Sequence, residues 1–447
     1  MSTDKYELSN FADLLAARAG LGIAVAGVGP ILAAPKWGAA LAAVLLGTAS
    51  ATAMFMGDST FMGVGYGTPA GAPTGVQTAG ARHYTLPAAF AKYLVLCGIP
   101  ASTDSFMGFN IRSTDAISDY NAYNPNVQVD AATWAIGATV SLGGNTFRKA
   151  SATAGPITFT PNDKSTHLDL IIQNNIASAA AVWTVKCDGT TVLSYTTTGT
   201  PDAPIKLSTP IQAEGFHVWT IEANSGNTSN AVGGIARNAV TPRVDVINAG
   251  FRGVTTAIVA DETTAYTAMK VLNVLFADLY VDGLGINDVR NGGGNAGANP
   301  SAAALLASKN VLLDRCAQHG DLILASPHNI APAADTGNGA HMSDLFAMYD
   351  SIAQARSCNH FRIRDHIGST IWGTIRVNTS TLCTFKNGVS PILEGRTRPV
   401  SPFRRRASTP TPEHTATQDV GGAFTYAPMA PGIADMVIEI DRANYKA

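Results

Sequence analysis

The sequence predicts an α/β protein whose parallel sheet, with helices on both faces, is interrupted by an inserted all-β sandwich. Two changes of texture along the 447 residues carry that prediction. Between residues 100 and 241, segments such as "HLDLIIQ", "VWTVKCDGTTVLSYTTTG" and "FHVWTIEANSG" follow one another without helical periodicity. They are rich in Val, Ile, Thr and Trp and punctuated by Gly, Asn, Asp and Pro, the pattern of a β-sandwich or jelly roll. On either side, strands alternate with helical stretches, which implies a parallel sheet covered on both faces. Residues 51–99 hold one strand, too few elements to fold alone, so they join 242–447 as one domain around the insertion at 100–241.

The elements follow in order. Asp4, Glu7 and Asp13 precede two apolar runs, Leu21 to Leu32 and Trp37 to Met56, which Pro30, Pro35 and Lys36 break. An acidic start is unlike a signal peptide. The second run approaches the length of a membrane span but is poor in Leu, Ile and Phe. Residues 1–50 are therefore expected to be an apolar docking or anchor segment, or packing helices, and the place where a docking partner or a second copy would attach. "ATAMFM" reads as a core strand, "LPAAFAKYLVLCGI" as a helix, "RVDVINAG" as a strand and "TTAYTAMKVLNVL" as a helix. After the strand "ADLYVDGLG" a helix is expected, with Asn299 and Pro300 at its first positions and Gly320 at its C-cap. "DLILASPHN" and "HMSDLFAMYDSIAQAR" read as the next strand and helix.

Composition excludes several classes of function. With 46% hydrophobic and 14% charged residues, the chain is not a disordered one. Net charge is −2 and no basic stripe with interleaved aromatics occurs, so nucleic acid is not an expected partner. The triplet Arg404-Arg405-Arg406 lies among Pro, Ser and Thr and reads as a solvated loop. Five cysteines, an odd number without a Cys-x-x-Cys pair, read as buried free thiols made in a reducing compartment. No metal or other cofactor is implied. Gly292 to Gly297 fits G-x-G-x-x-G, but "INDVRN" separates it from its strand, where a dinucleotide turn would follow closely.

The chemistry-bearing residues sit at strand ends. "GDST" puts the Ser59 hydroxyl at the C-terminal edge of a parallel sheet, where open α/β folds bind ligands. A serine or aspartate there is ordinarily a turn or cap residue. It becomes a nucleophile only with a base and with donors for an oxyanion. "NAGFRG" follows a second strand, with Gly250 and Gly253 offering backbone N–H groups. "GIND" follows a third, with the Asn287 amide as a further donor.

These blocks, in this order, resemble those of the SGNH (GDSL-type) hydrolases: "GDS", "N-x-G-x-x-G" and "G-x-N-D". The resemblance covers residues 51–99 and 242–447. It implies Ser59 as nucleophile and Asp58 as a supporting hydrogen-bonding acid. The oxyanion hole would be formed by the amides of Ser59 and Gly253 and the side chain of Asn287. The family's late "D-x-x-H" block is missing. His414, in a late loop, is taken as the base, with Thr411 standing where the orienting acid would be and Glu413 and Asp419 nearby; His366, beside Asp365, is the alternative. Some esterases of this family that act on polysaccharides also carry a carbohydrate-binding-like jelly roll at the position of the insertion.

The expected function is thus a serine esterase removing acyl groups from a polysaccharide, in a virion or extracellular setting. The alternative is a non-catalytic viral tail or capsid appendage that uses the fold to bind glycans. Trp183, Trp219, Tyr120 and Tyr123 are available to stack on sugars, but the alternating pattern around the two tryptophans reads as core.

Overall fold

A computed structural model describes residues 34–63, 82, 85–150, 155–174, 180–199, 203–224, 230–263, 267–290, 299–327 and 339–362, with two short strands at 375–377 and 383–385. Its organising element is a six-stranded parallel sheet built from β1 (Ala51–Gly57), β2 (Ala101–Ser102), β14 (Val244–Asn248), β15 (Leu279–Gly283), β16 (Asp321–Ser326) and β17 (Asn359–Arg362). The spatial order is β17-β16-β15-β1-β14-β2. Strand β1 is therefore central, flanked by two strands that arrive nearly two hundred residues later. Its register pairs Phe55 with Asn248 on one side and Gly57 with Gly283 on the other.

Every residue of β1 is buried, and its alternation divides two cores. Ala51, Ala53 and Phe55 face α1 (Pro35–Leu45) and α3 (Leu86–Leu96), meeting Trp37, Leu41, Phe90 and Leu94. Met54 and Met56 face the opposite layer, with α8 (Ala302–His319) and α9 (Met342–Arg356) supplying Leu305, Leu312, Leu313 and Leu345. Successive strand side chains point to opposite faces, so a strand covered on both sides is apolar throughout. Each large side chain removed from water contributes about 1.5–3 kcal/mol.

The helix ends follow local chemistry. Pro35 opens α1, where its missing N–H costs nothing. Ser301 caps α8, its hydroxyl accepting from the Ala304 amide at 3.2 Å, so this helix starts after the expected Asn299 and Pro300 and stops at Gly320 as expected. Residues 35–45, expected to dock elsewhere or to pack as a helix, form α1 on the sheet. Residues 1–33 lie outside the described residues. Among the described residues no helix is long and apolar enough to cross a membrane.

The insertion is a sandwich of two antiparallel sheets. One contains β4 (Val127–Val129), β7 (Ile157–Phe159), β9 (Val182–Cys187), β10 (Thr190–Thr196) and β12 (Trp219–Ala223). The other contains β5 (Trp134–Ser141), β6 (Gly144–Lys149), β8 (His167–Gln173), β11 (Pro204–Ser208) and β13 (Asn230–Arg237), with β3 (Phe106–Gly108) beside β13. Trp134, Trp183, Trp219, Phe147 and Phe159 fill the space between them. Tyr120 and Tyr123 are buried as well. All four aromatics weighed for sugar stacking are thus core residues, as the alternation indicated for the tryptophans. The parallel sheet begins its insertion-side edge at β2, just past the expected boundary at residue 99.

Candidate active site

The site is built where β1 stops. Asp58 leaves the strand in an extended conformation and caps the four-residue helix α2 (Ser59–Met62). Its Oδ1 accepts from the Thr60 amide at 2.8 Å and the Thr60 hydroxyl at 2.5 Å. An aspartate closing its own turn in this way folds the chain sharply. The turn ends at Gly63, in the left-handed region at φ +84°, whose N–H donates to Ser59 O. Ser59 is thus the first residue of a helix at the sheet's C-terminal edge, 5% exposed. Its hydroxyl has no hydrogen-bond partner among the described residues.

Glycines let α2 lie flat on the strand ends. A Cβ at Gly57 would stand 2.3 Å from the Phe61 ring, and one at Gly283 would stand 2.4 Å from it. The paired glycines of β1 and β15 therefore make the bed for Phe61. Glycine at these two strand ends is needed for this close approach.

The second block is fastened to the first. At the end of β14, Asn248 donates from Nδ2 to Phe61 O at 2.9 Å and accepts the Gly250 N–H at 2.9 Å. The Phe251 amide donates to Gly57 O at 3.0 Å. Asn110, from the insertion, donates to Gly250 O at 2.7 Å and to Gly143 O at 3.0 Å. One expectation is corrected here. Gly250 does not offer a free N–H, because Asn248 has taken it. Gly253 sits at φ +77°, and its N–H has no backbone acceptor among the described residues.

The third block closes on the second. Gly285, at φ +131°, precedes α7 (Ile286–Val289), and Asn287 donates from Nδ2 to Val254 O at 2.9 Å. That uses one of the two amide hydrogens. Asp288 accepts from the Thr256 amide at 3.0 and 3.1 Å and from its hydroxyl at 2.9 Å. Residues 253–256 are thereby clamped to Asn287-Asp288. Adjacent strands and these bonds bring the Ser59, Gly253 and Asn287 segments together at one sheet edge.

Burial governs the local acids. Asp58 is almost fully enclosed, which raises its carboxyl above the usual range against the lowering effect of its Thr60 bonds, and its Oδ2 has no partner. Burial raises Asp288 to about 6, opposed by its bonds to Thr256. Behind them lies a group the sequence did not announce: Lys309 of α8, paired with Asp282 and Tyr349. A lysine inside a helical pattern reads as a solvated side chain. The spacing of Leu305, Leu312, Leu313 and Cys316 puts position 309 on the buried face of α8, the one sequence signal that could have found it.

Both candidate bases, His414 and His366, lie outside the described residues, as does the Gly292–Gly297 run. The described histidines are engaged elsewhere. His360, for example, contacts Asp350 at 2.9 Å. Among the described residues, Cys187, Asp188 and His217 alone gather three metal-ligand atoms within 4.8 Å. That group belongs to the sandwich, and its histidine already bonds Asp188 at 2.7 Å and Ala213 O at 2.8 Å, so it reads as an ion pair bracing the β9–β10 turn.

No protein-family model matches the chain, and no curated protein matches its sequence. Among solved structures, a peptidoglycan O-acetylesterase superposes with a TM-score of 0.52 at 13% identity, over 91% of this chain and 96% of that one. A family two carbohydrate esterase from Clostridium thermocellum, in complex with cellohexaose, matches 49% of this chain and 83% of its own at a TM-score of 0.21 and 9% identity. A CBM35 from Paenibacillus barcinonensis matches 24% of this chain and 90% of its own at a TM-score of 0.20 and 14% identity. The fold assignment rests on the first. The chain has an SGNH-hydrolase-like α/β fold interrupted by a β-sandwich.

Proposed function

We propose that the protein is a serine esterase that removes O-acyl groups, acetyl first among them, from a polysaccharide. In this reading the Ser59 oxygen attacks the acyl carbonyl while a histidine takes its proton. His414 is the proposed base and His366 its alternative. The tetrahedral oxyanion is received by the amides of Ser59 and Gly253 and by the free hydrogen of the Asn287 amide. Collapse expels the sugar hydroxyl, which recovers the proton from the histidine. Water then attacks the acyl-serine by the same route, releasing the carboxylic acid and restoring Ser59. Asp58 serves by shaping the turn that carries the nucleophile.

The observation that carries this reading is the mutual fastening of the three strand ends, through Phe251 to Gly57, Asn248 to Phe61 and Asn287 to Val254. Three segments that bring a hydroxyl, a left-handed glycine and an asparagine to one edge are what acyl transfer requires. The substrate class is supported by the solved structure sharing the fold, which by its name acts on O-acetyl groups of peptidoglycan. Glycan held by the sandwich would meet its surface residues and not the buried aromatics.

A fluorophosphonate probe should label Ser59, and p-nitrophenyl acetate should be hydrolysed. Ser59→Ala should abolish both while leaving the melting temperature close to wild type. A well-folded protein that neither labels nor hydrolyses would leave glycan binding without catalysis as the surviving reading. His414→Ala compared with His366→Ala identifies the base, with a loss of several orders of magnitude at the true one only.

A further inference from the structure

Lys309 is 1% exposed, which a lysine tolerates only when its ammonium is fully paired. Here the pairing is complete. Its three hydrogens meet three oxygens: Asp282 Oδ2, Leu284 O at 2.8 Å and the Tyr349 hydroxyl at 2.8 Å. The Tyr349 hydroxyl in turn donates to the same Leu284 O at 2.5 Å. Asp282 Oδ1 accepts the Leu284 amide at 3.2 Å. Leu284 is therefore held at both its N–H and its carbonyl, the latter by two donors, one of them charged.

What this grip fixes is the turn after β15. Leu284 leads into Gly285, whose φ of +131° no side-chain-bearing residue adopts readily, and a Cβ there would stand 2.6 Å from Leu345. Two residues later comes Asn287. The helix that carries it is only four residues long, too short to hold its own orientation, so the direction of the Asn287 amide is set from two sides, by its own bond to Val254 O and by where Leu284 holds the turn. An apolar core would serve stability as well as this ion pair does, since buried pairs are weak contributors to it. A charge-assisted grip on one carbonyl, in low dielectric, is instead a device for geometry.

We propose that Lys309 and Tyr349 are positioning residues for Asn287, pinning the Leu284 carbonyl so that the asparagine amide faces the oxyanion. This rests on Asn287 acting as an oxyanion donor, as proposed above. Neither residue touches the reacting atoms. Both act through the Asp282–Gly285 turn.

The test is a double-mutant cycle in the full chain with p-nitrophenyl acetate. Tyr349→Phe removes one hydroxyl and keeps the ring. It should lower kcat about tenfold with KM unchanged, the scale of a displacement of a fraction of an ångström. In an Asn287→Ala background the same change should alter kcat less than about twofold, because the group being aimed is gone. Lys309→Met combined with Asp282→Asn, which leaves no lone buried charge, should behave the same way and provides a second measure if either protein folds poorly. Equal losses in both backgrounds, or wild-type kcat for Tyr349→Phe, overturn the positioning role while leaving the oxyanion reading intact. An Asn287→Ala protein with undiminished kcat overturns both.

Discussion

Gly250→Ala probes how closely the nucleophile turn is seated on its neighbour. The added Cβ would stand 2.4 Å from Met62 N, 2.7 Å from Phe61 C and 2.8 Å from Phe61 Cβ. Carbon contacts settle near 3.5–4.0 Å, so β14 and α2 must part by about 1 Å. Two of the three obstacles are main-chain atoms, which no rotamer change can move aside. Asn248 also ties Phe61 O to this same loop, so the shift is passed to Ser59. A misplacement of about 1 Å at a reacting group costs on the order of 10²-fold, or about 2.7 kcal/mol in the barrier. Overpacking should cost a further ~1–3 kcal/mol of stability. The assay is kcat on p-nitrophenyl acetate beside a melting curve. Gly98→Ala is the control: its φ of +82° brings strain, yet nothing lies within 4 Å of the new methyl, so it should lose stability and keep its turnover. A Gly250→Ala enzyme that turns over like wild type would refute the seating argument.

Other expectations follow from the same geometry. Trp183→Ala and Trp219→Ala should each destabilise by about 3–5 kcal/mol in chemical denaturation, because both rings lie in the sandwich core; a loss of glycan binding at unchanged stability would contradict that placement. Asn110→Ala should cost about 1–3 kcal/mol and lower kcat, since it strips the insertion's donor from the buried Gly250 carbonyl; unchanged melting and turnover would show the bond to be idle. Asp288, raised from 3.8 to about 6, makes its favourable contribution below pH 4 and loses it as pH climbs through 6. The shift corresponds to about 3 kcal/mol. Comparing denaturation of wild type and Asp288→Asn from pH 4 to 7, the wild type should lose roughly that much relative to the variant, and parallel curves would rule the effect out.

The parts of this fold that sequence revealed are those written in periodicity. The alternating apolar patterns around Trp183 and Trp219 identified core strands, and the apolar run at 51–56 identified a core strand. The three strand-end blocks were legible through their joint order after suitable strands, since a serine or aspartate at a strand end is by itself an ordinary turn or cap residue. What stayed hidden depends on contacts between distant segments. Gly250 reads as a donor but is a spacer, a difference visible only once α2 lies against it. Lys309 shares the stripe of Leu305, Leu312 and Leu313, but its charge reads as solvent-facing until Asp282 and Tyr349 are brought to it by the fold. Asn110 looks like one more loop amide, yet it joins the insertion to the nucleophile's neighbour. The two-residue strand β2 has no periodicity to detect.

The central strand has a consequence for how the chain assembles. β1 is made before its partner β14, which is separated from β2 by about 140 residues. Bringing such distant ends together from an open coil costs on the order of 4 kcal/mol in chain entropy alone. Ala101 and Val244, the two gateposts of the insertion, lie side by side in the finished sheet. A sandwich that folds first would deliver them to each other ready-made, turning a distant encounter into a local one. The inserted module then acts as a buckle for the sheet around it, and an insertion left unfolded would slow assembly of the sheet that carries Ser59.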